Sequence, residues 1–304
     1  MHLLRPLHGR DGGTLPQLRR RIAHKAAAQD VNYRHAFHAG NFADVVKHVA
    51  LVAILLHLRK KDKPFRVIDT HAGRGLYDLQ SEAAARTGEA AGGIARLEDL
   101  SGAPPALAAY LDIVRWAGAG RYPGSPLIAA KLLREQDKLI AIERHADDEK
   151  ALASALARFG NAKSFCADGY QRLSALLPPP ERRGLVLIDP PYEAADEFVR
   201  LGEALAAARK RFATGIYLVW YPIKSVAASD ALSGEVLADG PENVLRITID
   251  VGREAEGEKD RLSAAGVLVI NPPYGFAEEM RAAAGVLGPR LGRNASAEIS
   301  IADL

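Results

Sequence analysis

The run Gly184-Leu-Val-Leu-Ile-Asp-Pro-Pro-Tyr192 decides the fold class of this 304-residue chain. Its four consecutive apolar residues, bounded by glycine and proline, are typical of a buried strand in a parallel sheet. Asp189 stands at the carboxyl end of that strand, which is where open α/β sheets bind their ligands. Pro190 and Pro191 hold the backbone extended, because proline fixes φ and restricts the residue before it. The run therefore predicts an α/β protein with a ligand site at this edge of the sheet.

The same run carries groups that suit one kind of ligand. The Asp189 carboxylate and the Pro190 carbonyl are acceptors, and the Tyr192 ring offers a stacking face. Together they suit an aromatic base with an exocyclic amine. The alternative is purely structural, a strand that ends in a proline turn with Asp189 as the N-cap of the next helix. Proline is rare in strand contexts, which favours the functional interpretation.

The composition, with 48% hydrophobic and 25% charged residues, is typical of a soluble globular protein. No apolar run approaches the roughly 20 residues of a membrane span. The only cysteine, Cys166, excludes an internal disulfide, and its neighbours predict a plain buried thiol in a strand. No acid or cysteine completes a metal pattern with His35, His38 and His48. We therefore expect a cytoplasmic protein with no membrane segment and no metal.

The charge is unevenly distributed along the chain. Residues 1–63 contain twelve Lys/Arg and four Asp/Glu, a local excess of +8, whereas the net charge of the chain is +3. A basic amino-terminal segment is typical of proteins with a polyanionic partner such as nucleic acid, although a solvated surface would have the same composition. We interpret residues 1–31, which have weak periodicity, as a flexible basic extension that precedes a domain of residues 32–304.

The amino-terminal part of that domain combines a helix, a glycine turn and an insertion. Asn41 is a good N-cap for a helix that contains Lys47 and His48. A strand then leads into a glycine-rich turn, residues 65–75, which matches neither a Walker loop nor the dinucleotide-binding pattern. The segment of about residues 77–135 is rich in Ala and Leu and predicts a helical insertion after the first strand. Near its end, Ser125 can cap a helix that has Pro126 in its first turn.

Six further strands are predicted, with helices over about 147–158 and 194–210 between some of them. Including the first, the predicted strands are 65–69, 138–143, 163–168, 184–188, 215–221, 243–251 and 266–270. Glu143 ends the second strand, where α/β cofactor folds place an acid for ribose hydroxyls. The short polar link before the last strand indicates an antiparallel hairpin. We therefore predict a Rossmann-like class I methyltransferase fold with a seven-stranded, mostly parallel sheet.

Several motifs occur in an order that resembles the RlmJ family, and the resemblance covers about residues 32–275. They are Phe37-His-Ala-Gly-Asn41 with Asp44, Lys47 and His48, then Asp69-Thr-His-Ala-Gly73, Tyr122-Pro-Gly-Ser-Pro126, Ala167-Asp-Gly169 and Ile188-Asp-Pro-Pro-Tyr192. The resemblance implies S-adenosylmethionine-dependent methylation of adenine N6 in 23S ribosomal RNA, at adenine 2030. It also implies a cytoplasmic RNA-binding enzyme for ribosomal RNA modification, and we expect a monomer.

The resemblance also implies roles for individual residues. Asp189 would be the catalytic acceptor, together with Pro190 and Tyr192, and Tyr33 would touch the substrate RNA. The residues implied to surround S-adenosylmethionine are Lys47 or His48, His71, Ser125, Glu143, Asp168, Gly169 and Asp189.

Three rival functions stay open at this point. A DNA adenine-N6 methyltransferase shares the chemistry, and a non-catalytic RNA-binding module with a dead cofactor pocket shares the basic segment. A protein glutamine methyltransferase would instead use Asn271-Pro-Pro-Tyr274, which also follows a predicted strand. We predict that this last strand is antiparallel to the others and delivers Asn271 to the wrong edge of the sheet.

Overall fold

The computed structural model describes residues 38–223, 240–252 except 242, and 262–304 except 296, together with residues 234 and 237. The chain divides between Tyr33 and Arg34, and all the described residues belong to the second part. The predicted extension, residues 1–31, and the predicted RNA-contacting Tyr33 lie outside the described residues. None of the described helices combines the length and the apolar character that crossing a bilayer requires.

Eight α-helices and ten strands are defined within the described residues, together with two short 3-10 helices, Glu89–Gly92 and Ile94–Leu97. The helices are α1 (Phe42–Arg59), α2 (Glu82–Thr87), α3 (Pro105–Ala117), α4 (Ser125–Leu132), α5 (Ala146–Leu156), α6 (Gly169–Leu176), α7 (Glu197–Arg211) and α8 (Phe276–Leu291). The strands are β1 (Arg66–Asp69), β2 (Leu76–Asp78), β3 (Arg121–Pro123), β4 (Lys138–Glu143), β5 (Ala162–Cys166), β6 (Gly184–Ile188), β7 (Ile216–Pro222), β8 (Val244–Asp250), β9 (Ala264–Ile270) and β10 (Glu298–Asp303). Between β1 and β4, strands β2 and β3 pair as a separate antiparallel ribbon.

One sheet contains eight of these strands, in the order β10-β8-β9-β7-β6-β1-β4-β5. Strands β7, β6, β1, β4 and β5 are parallel, whereas β9 is antiparallel to both β7 and β8. The predicted fold class and the hairpin of β8 and β9 are therefore confirmed. The predicted number of seven strands was one too few, because β10 pairs antiparallel with β8 at the edge of the sheet.

Helix α1 is buried almost all round, since fifteen of its eighteen residues are buried. It packs against α3, α4 and α8 on one side of the sheet. A helix hydrophobic all round belongs in a core, yet Asp44, Lys47 and His48 lie in this one and are also buried. Their polar groups must therefore find partners inside the protein, because leaving them unpaired would cost several kcal/mol.

The direction of each strand decides which of its two ends lies at the same end of the sheet as Asp189. The parallel strands β1, β4 and β6 all end there, with Asp69, Glu143 and Asp189 respectively. Asn271 follows the antiparallel β9 and lies at the opposite edge, where its side-chain amide donates to the carbonyls of Ala213 and Gly215 at 2.8 and 2.7 Å.

The expectation that Cys166 is a buried thiol was wrong. Its side chain is exposed, with Sγ 3.7 Å from the carbonyl oxygen of Arg144. The reason is the position of β5 at the end of the sheet, where only one neighbouring strand covers it.

The close approach of β6 and β1 leads to a stability prediction. A Cβ atom at Gly184 would lie 2.1 Å from the carbonyl oxygen of Arg66, so Gly184→Ala must push the two central strands apart. We expect this substitution to lower the free energy of unfolding by about 2 kcal/mol, the usual cost of overpacking. Urea unfolding measures this, with Gly285→Ala as the matched control.

The control replaces a glycine inside α8 whose added Cβ would meet no atom within 4 Å. It should raise the free energy of unfolding by about 0.5–1 kcal/mol, because alanine favours the helix. Equal stability of the two variants would contradict the packing of β6 against β1.

Candidate active site

A buried ammonium group joins helix α1 to the end of β6. Nζ of Lys47 donates to Oδ1 of Asp44 at 2.7 Å and to Oδ2 of Asp189 at 2.5 Å. Burial alone lowers the pKa of Lys47, but the charges of Asp189 and Asp44 outweigh it, and the pKa is raised above its ordinary value. Lys47 is therefore a permanent cation that orients the Asp189 carboxylate.

The start of α1 is held by a chain of side-chain contacts. The predicted N-cap is confirmed, since Oδ1 of Asn41 accepts from the backbone N–H of Asp44 at 2.8 Å. The amide of Asn41 also donates to Glu89, whose other oxygen lies 2.9 Å from Nδ1 of His38. The other oxygen of Asp44 accepts from the backbone N–H of Gly40 at 3.0 Å. These contacts fix the turn from which Lys47 reaches Asp189.

Asp69, at the end of β1, is a site residue that the sequence analysis did not single out. Its carboxylate is buried and accepts a hydrogen bond from Oγ of Ser125 at 2.6 Å. Burial raises the pKa of Asp69 to about 7, even though Ser125 and Lys47 act in the opposite direction. The predicted capping role of Ser125 was wrong, because Gly124 precedes the first turn of α4 and the Ser125 hydroxyl satisfies the buried carboxylate instead.

His71, one of the residues that the family resemblance implies around the donor, lies two residues after Asp69 at the end of β1. Its Nδ1 is 2.8 Å from Oγ1 of Thr70, and its ring meets the edge of Tyr170 with centroids 5.0 Å apart. Burial lowers the pKa of His71 to about 4, although the charges of Asp189 and Asp168 raise it. The imidazole is therefore neutral at pH 7 and acts as a hydrogen-bonding group rather than as a cation.

Glu143 closes the glycine turn from the end of β4. One carboxylate oxygen accepts from the backbone N–H of Gly73 at 2.9 Å, and the other accepts from the N–H of His145 at 2.8 Å. Each carboxylate oxygen can accept more than one hydrogen bond, so a ligand hydroxyl can still bind there.

Asp168 and Gly169 lie beside the end of β1. Asp168 is the N-cap of α6, and Nη2 of Arg200 lies 3.4 Å from the carboxylate oxygen that does not form the cap. At Gly169, an added Cβ would lie 2.0 Å from the carbonyl oxygen of Thr70, so only glycine allows the loops after β5 and β1 to meet.

The segment after β6 holds its aromatic ring in one orientation. Tyr192 has a left-handed backbone (φ +53°), and its hydroxyl donates to the carbonyl of Trp220 at 2.5 Å. The Tyr192 ring also contacts Trp220 and Phe198, with centroids 5.8 and 5.0 Å apart. The structural alternative for Asp189 is wrong, because Asp196 rather than Asp189 precedes α7.

The two neighbouring candidates in α1 point to different surroundings. Lys47 reaches Asp189, whereas Nδ1 of His48 lies 2.7 Å from the hydroxyl of Tyr122. That hydroxyl is 2.9 Å from the hydroxyl of Tyr110, and all three side chains are buried in the core. Of the two candidates in α1, only Lys47 contacts Asp189.

The described part of the site is rich in acidic groups and suits a cationic ligand. Three carboxylates, those of Asp44, Asp69 and Asp189, contribute to the electrostatic surroundings of the single ammonium of Lys47. Within the described residues, no three His, Cys, Asp or Glu side chains come together as metal ligands.

The raised pKa of Asp69 predicts a pH dependence of stability. The unfolded chain releases this proton near pH 3.8 and the folded protein near pH 7, so protonation favours folding. The contribution is complete below about pH 4 and is lost as the pH rises through about 7. The Asp69→Asn variant carries no charge at this position at any pH. The free energy of unfolding of the wild type, measured relative to this variant, should therefore fall by a few kcal/mol between about pH 4 and pH 7 and stay constant above pH 7.

Urea unfolding at several pH values between 4 and 9 measures the difference between the two proteins. The matched control is Asp147→Asn, since the Asp147 side chain is 95% exposed and its replacement should change the free energy of unfolding by less than about 0.5 kcal/mol. If the difference in free energy of unfolding between the wild type and Asp69→Asn did not change with pH, the assigned protonation state of Asp69 would be contradicted.

Comparison with known proteins identifies the family. Residues 62–301 match the family model described as "Ribosomal RNA large subunit methyltransferase D, RlmJ". The protein named Ribosomal RNA large subunit methyltransferase J from Escherichia coli (strain K12) is 44% identical over 254 residues, which cover 82% of this chain and 90% of that protein. The protein of the same name from Haemophilus influenzae is 40% identical over 256 residues, 83% of this chain and 90% of that one.

A solved structure shares the fold of this chain. The crystal structure of a protein from Legionella pneumophila str. Philadelphia 1 is 33% identical and superposes with a TM-score of 0.79, covering 87% of this chain and 98% of that one. This chain therefore belongs to the RlmJ family of ribosomal RNA large subunit methyltransferases.

Proposed function

We propose that this protein transfers a methyl group from S-adenosylmethionine to N6 of an adenine in 23S ribosomal RNA, at the position known as adenine 2030. The observation that carries the proposal is the Asp189 carboxylate, which Lys47 orients at the carboxyl end of β6, directly before Pro190. The membership of the RlmJ family supports the substrate class. We further propose that the enzyme works as a monomer in the cytoplasm and needs no metal.

The residues of the site fit the methyl donor. S-adenosylmethionine, when bound, supplies a methyl group on a positively charged sulfur, and its amino-acid part and ribose offer an ammonium group and hydroxyls. The surplus of carboxylates around Lys47 suits these positive charges, and the Glu143 oxygens suit the ribose hydroxyls. The residues that would hold the donor are Lys47, His71, Ser125, Glu143, Asp168, Gly169 and Asp189. Lys47 is preferred to His48 because His48 faces Tyr122 in the core.

The acceptor amine must be activated by the protein. The lone pair of an adenine N6 is delocalised into the ring, so the amine is a poor nucleophile. Hydrogen bonds donated by N6 to the Asp189 carboxylate and the Pro190 carbonyl draw the nitrogen toward tetrahedral geometry and localise the lone pair. Lys47 holds the carboxylate in place, so positioning and electrostatics provide most of the acceleration. The proton that N6 loses goes to Asp189 or to water.

Tyr192 supplies the stacking face for the base. The target adenine must leave its helix to reach Asp189, and stacking on an aromatic side chain contributes about 1–3 kcal/mol per base. The hydrogen bond from the Tyr192 hydroxyl to the Trp220 carbonyl fixes the ring before the base arrives. The Tyr192 ring therefore already has its orientation when the base binds, and no ordering of this side chain is needed.

Replacing Asp189 separates catalysis from donor binding. We expect Asp189→Ala to abolish methyl transfer and to leave S-adenosylmethionine affinity within severalfold, because the other donor-binding groups remain. Calorimetric titration measures the affinity, and incorporation of radiolabelled methyl groups into RNA measures the transfer. Undiminished transfer by Asp189→Ala would refute the assignment.

The matched control for this variant is Asn271→Gly, in the second Pro-Pro-Tyr segment. Glycine tolerates the left-handed backbone at this position (φ +55°), and the variant loses only contacts at the opposite edge of the sheet. Its kcat per folded molecule should equal that of the wild type, whereas a protein glutamine methyltransferase would lose kcat.

The substrate class is tested by offering RNA, DNA and protein to the same enzyme. We expect label in a 23S ribosomal RNA transcript and none in DNA of the same sequence or in protein, with unchanged activity in EDTA. Mass spectrometry of the digested RNA should then identify N6-methyladenosine at one position, corresponding to adenine 2030. Label in DNA or in protein, or donor binding without any transfer, would support one of the rival functions.

A further inference from the structure

The second Pro-Pro-Tyr segment presents an aromatic ring to solvent at the edge of the sheet opposite Asp189. Tyr274 is 95% exposed, far more than any other large apolar side chain among the described residues. The turn that carries it is well held, because Asn271 donates to two carbonyls and the N–H of Phe276 donates to the carbonyl of Pro273 at 3.0 Å. The ring is therefore displayed from a fixed backbone and contributes little to the core.

A basic loop, taken here as residues 59–63, begins with the last residue of α1 and continues beyond the helix. Four of the five residues 59–63 are basic, namely Arg59, Lys60, Lys61 and Lys63, and their side chains are exposed. Two arginines hold the loop by its backbone. Arg134 donates to the carbonyls of Lys61 and Lys63 at 2.9 and 3.1 Å, and Arg183 donates to the carbonyl of Lys63 at 2.9 Å. Since the loop backbone is held in this way, a partner has to order only the lysine side chains.

His57 connects the basic loop to the turn that carries Tyr274. It lies in the last turn of α1, and the backbone of Tyr274 faces it. Burial and the positive charges of Lys60, Arg183 and Lys61 lower the pKa of His57, although the contact with Tyr274 raises it. Geometry places both segments at the same end of the sheet, because Asn271 is bonded to the residue before β7 and Lys63 to Arg183 directly before β6. We therefore treat the exposed side chains of these neighbouring segments as one surface, here called the Tyr274 surface and defined by Arg59, Lys60, Lys61, Lys63 and Tyr274.

The acidic groups nearby leave the positive charge of this surface largely intact. Asp62, in the loop itself, lies 3.8 Å from Arg134, and Glu278, in the first turn of α8, lies 3.8 Å from Arg281. Each acid thus has a basic partner outside the Tyr274 surface. A group of exposed cations on a held backbone, near an exposed aromatic ring, suits phosphates and an unpaired base.

We propose that the Tyr274 surface binds a second, single-stranded part of the RNA substrate, with phosphates on the lysines and a base stacked on Tyr274. This inference rests on the proposed function, which supplies a long polyanion as the partner. Five residues of β6 separate the two edges of the sheet, a span of about 17 Å at the rise of an extended strand. An RNA must therefore extend several nucleotides beyond the target adenine to reach both places.

Two sets of variants test the surface on a long 23S RNA transcript and on a short RNA that contains only the target region. For the long transcript, Lys60→Ala combined with Lys61→Ala should raise KM about 5- to 10-fold and reduce the slope of log affinity against log salt by about 2. Tyr274→Ala should raise KM about fivefold, and Tyr274→Phe, which keeps the ring, should restore the wild-type value. The kcat values, and all values for the short RNA, should not change.

The control variant combines Lys150→Ala with Lys163→Ala, which removes two exposed charges from α5 and β5 and should leave KM and the salt slope unchanged. If the variants of the Tyr274 surface match the wild type on the long transcript, this inference is overturned and the proposed function stands. If the wild type methylates no RNA, the proposed function fails, and fluorescence anisotropy with the same transcript decides whether the surface binds RNA.

Discussion

The buried contact of Lys47 with Asp189 and Asp44 is the interaction on which the site depends. The side chains of Lys47, Asp44 and Asp189 are 4%, 3% and 14% exposed, so their charges are largely removed from water. Removing one partner from such a contact leaves an uncompensated buried charge and costs about 3–5 kcal/mol, whereas the intact contact adds little net stability. The contact therefore specifies one arrangement of α1 and β6 more than it strengthens the fold.

The same contact divides the carboxylates of the site into two kinds. Asp189 has a cation beside it, whereas within the described residues Asp69 accepts only from neutral groups, the Ser125 hydroxyl and the backbone N–H of His71, and burial raises the pKa of Asp69 to about 7. Carboxylates in different environments can take different roles within one site. In the proposed mechanism Asp189 accepts hydrogen bonds from an amine, while Asp69 can be present as a neutral acid that limits the negative charge behind it. His71 is neutral for a related reason, since burial outweighs the nearby carboxylates.

Local patterns in the sequence predicted much of the fold. The cap at Asn41, the strand before Asp189 and the antiparallel hairpin of β8 and β9 each depend on residues close together in the chain. The interactions that were not predicted join distant parts of the chain. The hydrogen bond of Ser125 to Asp69 spans 56 residues, and the exposure of Cys166 depends on the place of β5 at the end of the sheet.

Two of the missed features did leave a signal. Asp44 precedes Lys47 by three residues, which places both on one face of a helix, and an apolar helix that contains both must pair them. Asp69 ends β1, and Asp189 directly follows β6. The inference that a carboxylate at the carboxyl end of a parallel strand belongs to the ligand site therefore applied to Asp69 as well as to Asp189. Strand β10 alternates Ile299 and Ile301 with polar residues, but its isoleucines are only half-buried, as expected for a strand at the edge of the sheet.

The two Pro-Pro-Tyr segments show why a motif has chemical meaning only together with the direction of its strand. Both follow a buried strand, and both begin with a residue that forms side-chain hydrogen bonds. After the parallel strand β6, Asp189 meets Lys47 and the hydroxyl of Tyr192 is bonded to Trp220. After the antiparallel strand β9, Asn271 is bonded to backbone carbonyls and Tyr274 stands in solvent. The same three residues therefore form part of a proposed catalytic pocket at one edge of the sheet and an exposed aromatic surface at the other.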